Sequence, residues 1–265
     1  MSSQTLLIDS YDRIEGTSTA FRINLNQVKE NIESIQLVSA VIPNTAYNVY
    51  NYTINGILYQ NNLIPFREVA SDAFATVPIG NYSITDLIAA IGVAMTAASP
   101  TLQVYTATYD SSTFKITVTT AGPNPFVFRF AATFGGTNYT NINLSYVMGF
   151  NNTNTGVAAL SLTSNNVVNL SGIPYYVIKN NNLQNNVFTT EATSGMYYIP
   201  NNVNGANIAY YLCGTEKDGN IMRFNKGSYT TLTQLNISLM DTYERIVDLN
   251  GSDWQFCIKI NYYNY

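Results

Sequence analysis

The 265-residue sequence contains no histidine, one tryptophan and two cysteines, and only 11% of its residues are Asp, Glu, Lys or Arg. Soluble domains typically carry about 25% charged residues. Without histidine the chain lacks the commonest general base, proton shuttle and transition-metal ligand. An enzyme is therefore not expected, and no catalytic, cofactor-binding or metal-binding residue is assigned. Twelve Lys and Arg are scattered singly from Arg13 to Lys259, and the net charge is −4. That balance offers no basic stripe for sequence-specific nucleic-acid binding. No run of 18 apolar residues is present, so no membrane span is expected. Met1–Asp12 lacks the charged start and long apolar run of a signal peptide, and the product is expected to stay in cytosol-like conditions. Cys213 and Cys257 are read as two buried thiols, with a disulfide as the alternative, since two cysteines make no framework.

Polarity comes instead from 35 Asn, 48 Ser and Thr, and 21 Tyr, and aromatics make up 13% of the chain. That much aromatic content with so little charge excludes disorder. Eight Asn-X-Ser/Thr sequons, at Asn51, Asn81, Asn138, Asn143, Asn151, Asn169, Asn236 and Asn250, invite a glycoprotein reading. This composition produces about six by chance, so they carry no message.

Period-two patterning dominates. Phe21, Ile23 and Leu25 alternate with polar residues, as do Phe114, Ile116 and Val118, and Leu235, Ile237 and Leu239. Phe126, Phe128 and Phe130 alternate with Val127 and Arg129. Trp254, Phe256, Ile258 and Ile260 repeat the pattern near the end. Ile35, Leu37, Ser39 and Val41 open an apolar stretch that stops at Pro43. Each reads as a strand with one face in a core. One amphipathic helix is predicted over residues 84–98, from Ile84, Leu87, Ile88 and Ile91 through Ala94, Met95 and Ala98, with Ser83 and Asp86 as a variant capping box. A hairpin follows, turning at Asp110-Ser111-Ser112. Residues 77–150 thus read as a small α+β insertion domain entered through Pro78 and Gly80. The flanking regions, 18–76 and 151–265, together supply about eight strands. That number suits a mainly β fold: a single eight-stranded antiparallel jelly roll. Residues 1–17, polar and short of periodicity, read as an N-terminal arm that orders only against neighbours.

The segment Asp248-Leu-Asn-Gly-Ser-Asp253 resembles a calcium loop, but no bidentate Glu closes it. Asn-Gly makes it a hairpin turn between the Leu235 and Trp254 strands. Asp9, Asp12 and Arg13 read as anchors of the arm, since isolated carboxylates in a polar segment gain no pKa tuning. Tyrosine is the most unusual feature, with a cluster at Tyr47, Tyr50, Tyr52 and Tyr59. Others are Tyr175, Tyr176, Tyr197, Tyr198, Tyr210, Tyr211, Tyr262, Tyr263 and Tyr265. Adjacent pairs in a strand must place one ring on each face, so some rings point away from the core. Tyrosine suits wet protein–protein interfaces.

The string Ile35-Gln-Leu-Val-Ser-Ala-Val-Ile-Pro-Asn-Thr-Ala-Tyr-Asn-Val49 resembles a segment of penton and penton-like minor capsid proteins of virophages and large double-stranded DNA viruses. Ile8-Asp-Ser-Tyr-Asp-Arg13 with Gly16-Thr17 is similar, as are Ile79-Gly-Asn-Tyr-Ser-Ile-Thr-Asp-Leu87 and Met148-Gly-Phe150. So are Asn165-Asn-Val-Val-Asn-Leu-Ser-Gly172 and Asp248-Leu-Asn-Gly251 with Trp254. The resemblance implies a virion protein assembled in host cytoplasm. It implies one jelly roll whose homopentamers close icosahedral vertices beside a double-jelly-roll major capsid protein, the insertion projecting outward toward other minor capsid proteins or a host receptor. A minor (cement) capsid protein away from the vertex, a lectin-like or receptor-binding spike head, and a hydrolase on the same fold are the alternatives.

Overall fold

The computed structural model describes residues 2–54, 56–134, 137–138, 142–181, 196–201, 208–212, 221–224 and 231–263. Cys213, Tyr265 and the Asn-rich stretches 182–186 and 202–207 lie outside the described residues. In chain order the first strands are β1 (Ser2–Asp9), β2 (Glu15–Gly16), β3 (Ala20–Lys29) and β4 (Ile32–Pro43). Next come β5 (Asn51–Ile54), β6 (Ile57–Gln60), β7 (Leu63–Glu68), β8 (Ser71–Thr76) and helix α1 (Ile84–Ala98). They are followed by β9 (Tyr105–Asp110), β10 (Lys115–Thr120), β11 (Phe126–Phe128), β12 (Thr133–Phe134), β13 (Thr137–Asn138), helix α2 (Ser145–Met148) and β14 (Ser161–Thr163). The last strands are β15 (Tyr175–Asn180), β16 (Met196–Pro200), β17 (Ile208–Leu212), β18 (Ile221–Arg223), β19 (Leu232–Met240) and β20 (Gln255–Tyr262). No helix among the described residues is long and apolar enough to cross a membrane.

The chain divides into two compact units, residues 1–46 with 173–265, and residues 47–172. In the first, one sheet runs β1-β20-β4-β17, with β18 also on β4, and the other runs β16-β15-β19-β3-β2. Every pairing is antiparallel. The pairing is nested: β1 with β20, β3 with β19, β4 with β17 and β18, β15 with β16. A long antiparallel ribbon rolled on itself gives this order, and it is the jelly roll. Each sheet carries five strand segments rather than four, because β17 and β18 occupy successive stretches of β4 and the short β2 extends β3. The inner faces meet in one apolar core. Ile8, Leu37 and Phe256 enter it from one sheet, and Phe21, Tyr176, Leu235 and Leu239 from the other.

Three expectations change here. Ser2–Asp9 is not a free arm but β1, in register with β20 from Ser2↔Tyr262 to Asp9↔Gln255. Its inward Ile8 is buried. In β4, Ile35 and Leu37 face the core, yet Ser39 and Val41 do not; Ala40 and Ile42 do. A bulge explains the switch. Cys257 pairs with Ser39 while Ile258 pairs with Leu37, leaving Val38 as the extra residue that reverses the parity. Finally, β19 and β20 belong to opposite sheets, so the Asn250-Gly251 turn is no hairpin between them. It is still a tight turn, with Asn250 at φ 52° and Gly251 at φ 79°. It forms a corner stitched to Thr45, whose Oγ1 donates to Leu249 O at 2.6 Å.

The second unit is wider than the 77–150 expected from sequence. Ile64 and Phe66 of β7 share one core with α1, β10 and the Phe126-Phe128-Phe130 triplet. The β7 strand pairs with both β8 and β11, which ties residues before 77 to this unit. Helix α1 covers the predicted residues, burying Leu87, Ile91 and Met95. Ser83 Oγ accepts from Asp86 N at 3.2 Å and donates to Asp86 Oδ2 at 2.6 Å, so the cap closes through the hydroxyl. Gly92 lets the helix lie against β9: a Cβ there would sit 3.1 Å from Tyr105 O. Phe114 is exposed at φ 58° rather than inside the β10 ladder. The reason is the turn. Asp110 gathers Ser112 N, Ser112 Oγ and Thr113 Oγ1, so the loop takes four residues and β10 starts at Lys115. Those bonds hold the Asp110 carboxyl down at about 2.

Candidate interaction surface

Alternation in a strand fixes which side chains leave the core. On the sheet containing β1, cross-strand partners define two outward rows. One is Leu7, Cys257, Ser39 and Leu212; the other is Asp9, Gln255, Val41 and Tyr210. Pro43 and Ile208 continue the face beyond them. Leu7, Ile208, Tyr210 and Leu212 are each more than half exposed. In these rows Asp9 is the one carboxylate, and its Oδ1 accepts from Tyr11 N at 2.9 Å. Aliphatic and tyrosyl surface with almost no charge is the composition of the core of a protein interface.

The tyrosine pairs divide as alternation demands. Tyr197 is 3% exposed and Tyr198 51%; Tyr176 is buried while Tyr175 is half-exposed. Tyr211 packs on the core and Tyr210 points out. Burial pushes the Tyr176 and Tyr197 hydroxyls well above the usual phenol range, so both stay protonated donors. Tyr176 Oη donates to Asn44 Oδ1 at 2.8 Å, and Tyr197 Oη to Ile35 O at 3.3 Å. In the 47–172 unit, Tyr50, Tyr52 and Tyr59 form a half-buried ladder along the β5–β6 hairpin, with ring centroids 5.5 and 5.4 Å apart.

The acidic residues singled out from sequence serve as fasteners. Asp253 Oδ1 accepts from Ser10 Oγ at 2.8 Å and from Arg13 Nη1 at 2.7 Å, which brings Arg13 and the Asp248–Asp253 segment together. Ser10 Oγ in turn accepts from Trp254 N at 3.0 Å. Asp248 Oδ1 accepts from Asn250 N at 2.8 Å, an Asx turn rather than a ligand arrangement. Asp12 does not join this cluster. Cys257 is a free, half-buried thiol on the outward face. Among the described residues no group of three or more Cys, Asp or Glu is placed to hold a metal ion.

Sequence reasoning passed over Glu68, which is fully buried at the end of β7. Its carboxylate accepts from Ser99 Oγ and Tyr105 Oη, both at 2.8 Å, from Thr101 N at 3.2 Å, and from Thr101 Oγ1. Burial alone would raise its pKa, but the four donors outweigh it and hold the carboxyl below its ordinary value. Glu68 thereby pins the end of α1 and the start of β9 to β7. No pattern marks it in the sequence, because its donors lie some thirty positions downstream.

No protein-family model matches the chain, and no curated protein matches it. Among solved structures it is similar to the mavirus penton protein, with 11% identity, 98% of each chain covered and a TM-score of 0.43. It is also similar to a chain of the Sputnik virophage structure, with 11% identity, 98% of this chain and 97% of that chain covered, and a TM-score of 0.35. The assignment of the jelly roll rests on the nested strand order of this chain itself.

Proposed function

We propose that this chain is a structural capsid protein, a penton whose homopentamers close the icosahedral vertices of a double-stranded DNA virus or virophage. The observation that carries this reading is the patch of Leu7, Val41, Ile208, Tyr210 and Leu212 on the outward face of the β1-β20-β4-β17 sheet of a jelly roll, with Asp9 as the one carboxylate in its rows. The distributed motif resemblance from Ile8 to Trp254 supports it. A ring of five is a closed heterologous assembly, in which one flank of each copy meets a different flank of the next. A flank of this composition associates without the desolvation penalty of buried ions. In this reading the jelly roll forms the wall beside a double-jelly-roll major capsid protein, and the 47–172 unit projects outward. Native mass spectrometry of the purified chain at rising concentration tests it. A five-copy species weakened by Tyr210→Glu is expected. A trimer, or an oligomer indifferent to that substitution, overturns it.

A receptor- or glycan-binding head is the second reading, favoured by the Tyr50-Tyr52-Tyr59 ladder, since neighbouring half-exposed rings with polar tips suit sugar faces. Glycan-array binding that disappears in Tyr52→Ala would select it.

A further inference from the structure

In the jelly-roll unit, β1 and β3 are edges of opposite sheets, and a groove of about 660 Å³ runs between them. Among the described residues, β1 is paired on one flank only, with β20. Beyond Arg22, β3 is likewise paired only with β19, because β2 covers just Phe21 and Arg22. Both walls therefore present unpaired backbone donors and acceptors, the template for an added strand. Leu6, Ile23 and Leu25 pack against the core yet remain half-exposed, and with Ile14 they line this groove. Through these side chains the apolar interior reaches solvent along the seam.

Lys29 lines the same groove and is only 6% exposed. Its ammonium has Gln27 Oε1 at 3.4 Å as its hydrogen-bond partner and no carboxylate within ion-pair distance among the described residues. A desolvated ammonium without a counter-ion is costly, and a carboxylate beside it would relieve that cost.

We propose that the β1–β3 seam is a docking groove for an extended segment of a different protein, a segment with apolar side chains at alternate positions and a carboxylate that pairs with Lys29. The backbone edges select an extended chain, the exposed core residues select its apolar side chains, and the buried ammonium selects its charge. A second copy of this chain is poorly suited to the role. Among its described carboxylates, Asp12, Glu30 and Glu33 alone lack a donor or cation partner, and Asp12 lines this groove while the other two flank the β3–β4 corner. This docking does not depend on the proposed vertex assembly: of the outward rows of the β1 sheet, Leu7 alone also lines the groove.

The test is selection of a random dodecapeptide phage library on the full chain, followed by binding of the enriched peptides to Lys29→Gln and to Ile14→Glu. Ile14 is exposed, so its substitution leaves the fold intact even if Lys29→Gln does not. Enriched peptides carrying Asp or Glu, weakened about tenfold or more by either substitution, are expected. Bound peptide should also slow hydrogen exchange in residues 2–9 and 23–29. The proposal is overturned by no enrichment, by no acidic preference, by binding to Lys29→Gln or Ile14→Glu as tight as to the wild type, or by protection confined elsewhere. Self-association abolished by Lys29→Gln would hand the groove to a second copy and overturn it too.

Discussion

Replacing Glu68 separates two effects that one buried carboxylate combines. In Glu68→Ala the hydroxyls of Ser99 and Tyr105 lose their acceptor inside the core, whereas the Thr101 donors lie at an exposed residue and can turn to water. Two orphaned buried donors at about 1–3 kcal/mol each put the loss at about 4 kcal/mol. For a unit of the size of 47–172 that corresponds to a fall in Tm of about 15 °C. Glu68→Gln keeps an amide oxygen for the Ser99–Tyr105 pair and sets its NH2 against Thr101 N, a loss of about 1–2 kcal/mol. The pH dependence follows from the lowered pKa. A folded-state value below the unfolded one means the ionised form is favoured by folding. The contribution is therefore complete above the unfolded value near 4.5 and fades as pH falls through the folded value. Calorimetry of wild type and Glu68→Gln at pH 7 and stepwise down to pH 3 should show their midpoints converging. Parallel curves down to pH 3, or a Glu68→Ala loss under about 1 kcal/mol at pH 7, would refute the reasoning.

Two further perturbations test backbone geometry in the same unit. Val69, an exposed β-branched residue at φ 52° in the two-residue β7–β8 turn, occupies a left-handed conformation that glycine adopts freely. Val69→Gly should raise stability by about 1 kcal/mol, read as a higher denaturant midpoint at unchanged slope. Gly149 caps α2 at φ 78°, and a Cβ there would sit 2.5 Å from Asn166 O and 2.6 Å from Val167 O. Both atoms are backbone and cannot swing aside, so Gly149→Ala should lower stability by about 3 kcal/mol on the same assay. No loss would show that the 166–167 segment yields.

Elements whose parity runs unbroken are the ones that the sequence reveals. Helix α1 falls on the expected residues because its apolar stripe and Ser83 cap agree, and Phe126, Phe128 and Phe130 are all buried as their alternation requires. The tyrosine pairs divide between faces for the same reason. The bulge at Val38 is not legible, since Leu37 to Pro43 is apolar at almost every position and either parity fits. The strand β1 is hidden by its polar start and by the outward Leu7, which interrupts the alternation; only Leu6 and Ile8 mark its inward side. The unit boundary is displaced because Ile64 and Phe66 read equally well as strand residues of either core. Lys29 has one legible sign, for it shares the odd-numbered parity of Phe21, Ile23 and Leu25. Glu68 has none, because a long-range hydrogen-bond cluster leaves no local periodicity.

The pairing of β1 with β20 joins segments at opposite ends of the sequence. During synthesis, β1 leaves the ribosome with its partner still untranslated, and so do β3 and β4. The 47–172 unit closes on contacts within itself and can mature while the later strands are being made. The jelly roll then zips together only after translation passes Tyr262, which favours slow, late maturation of its outward face.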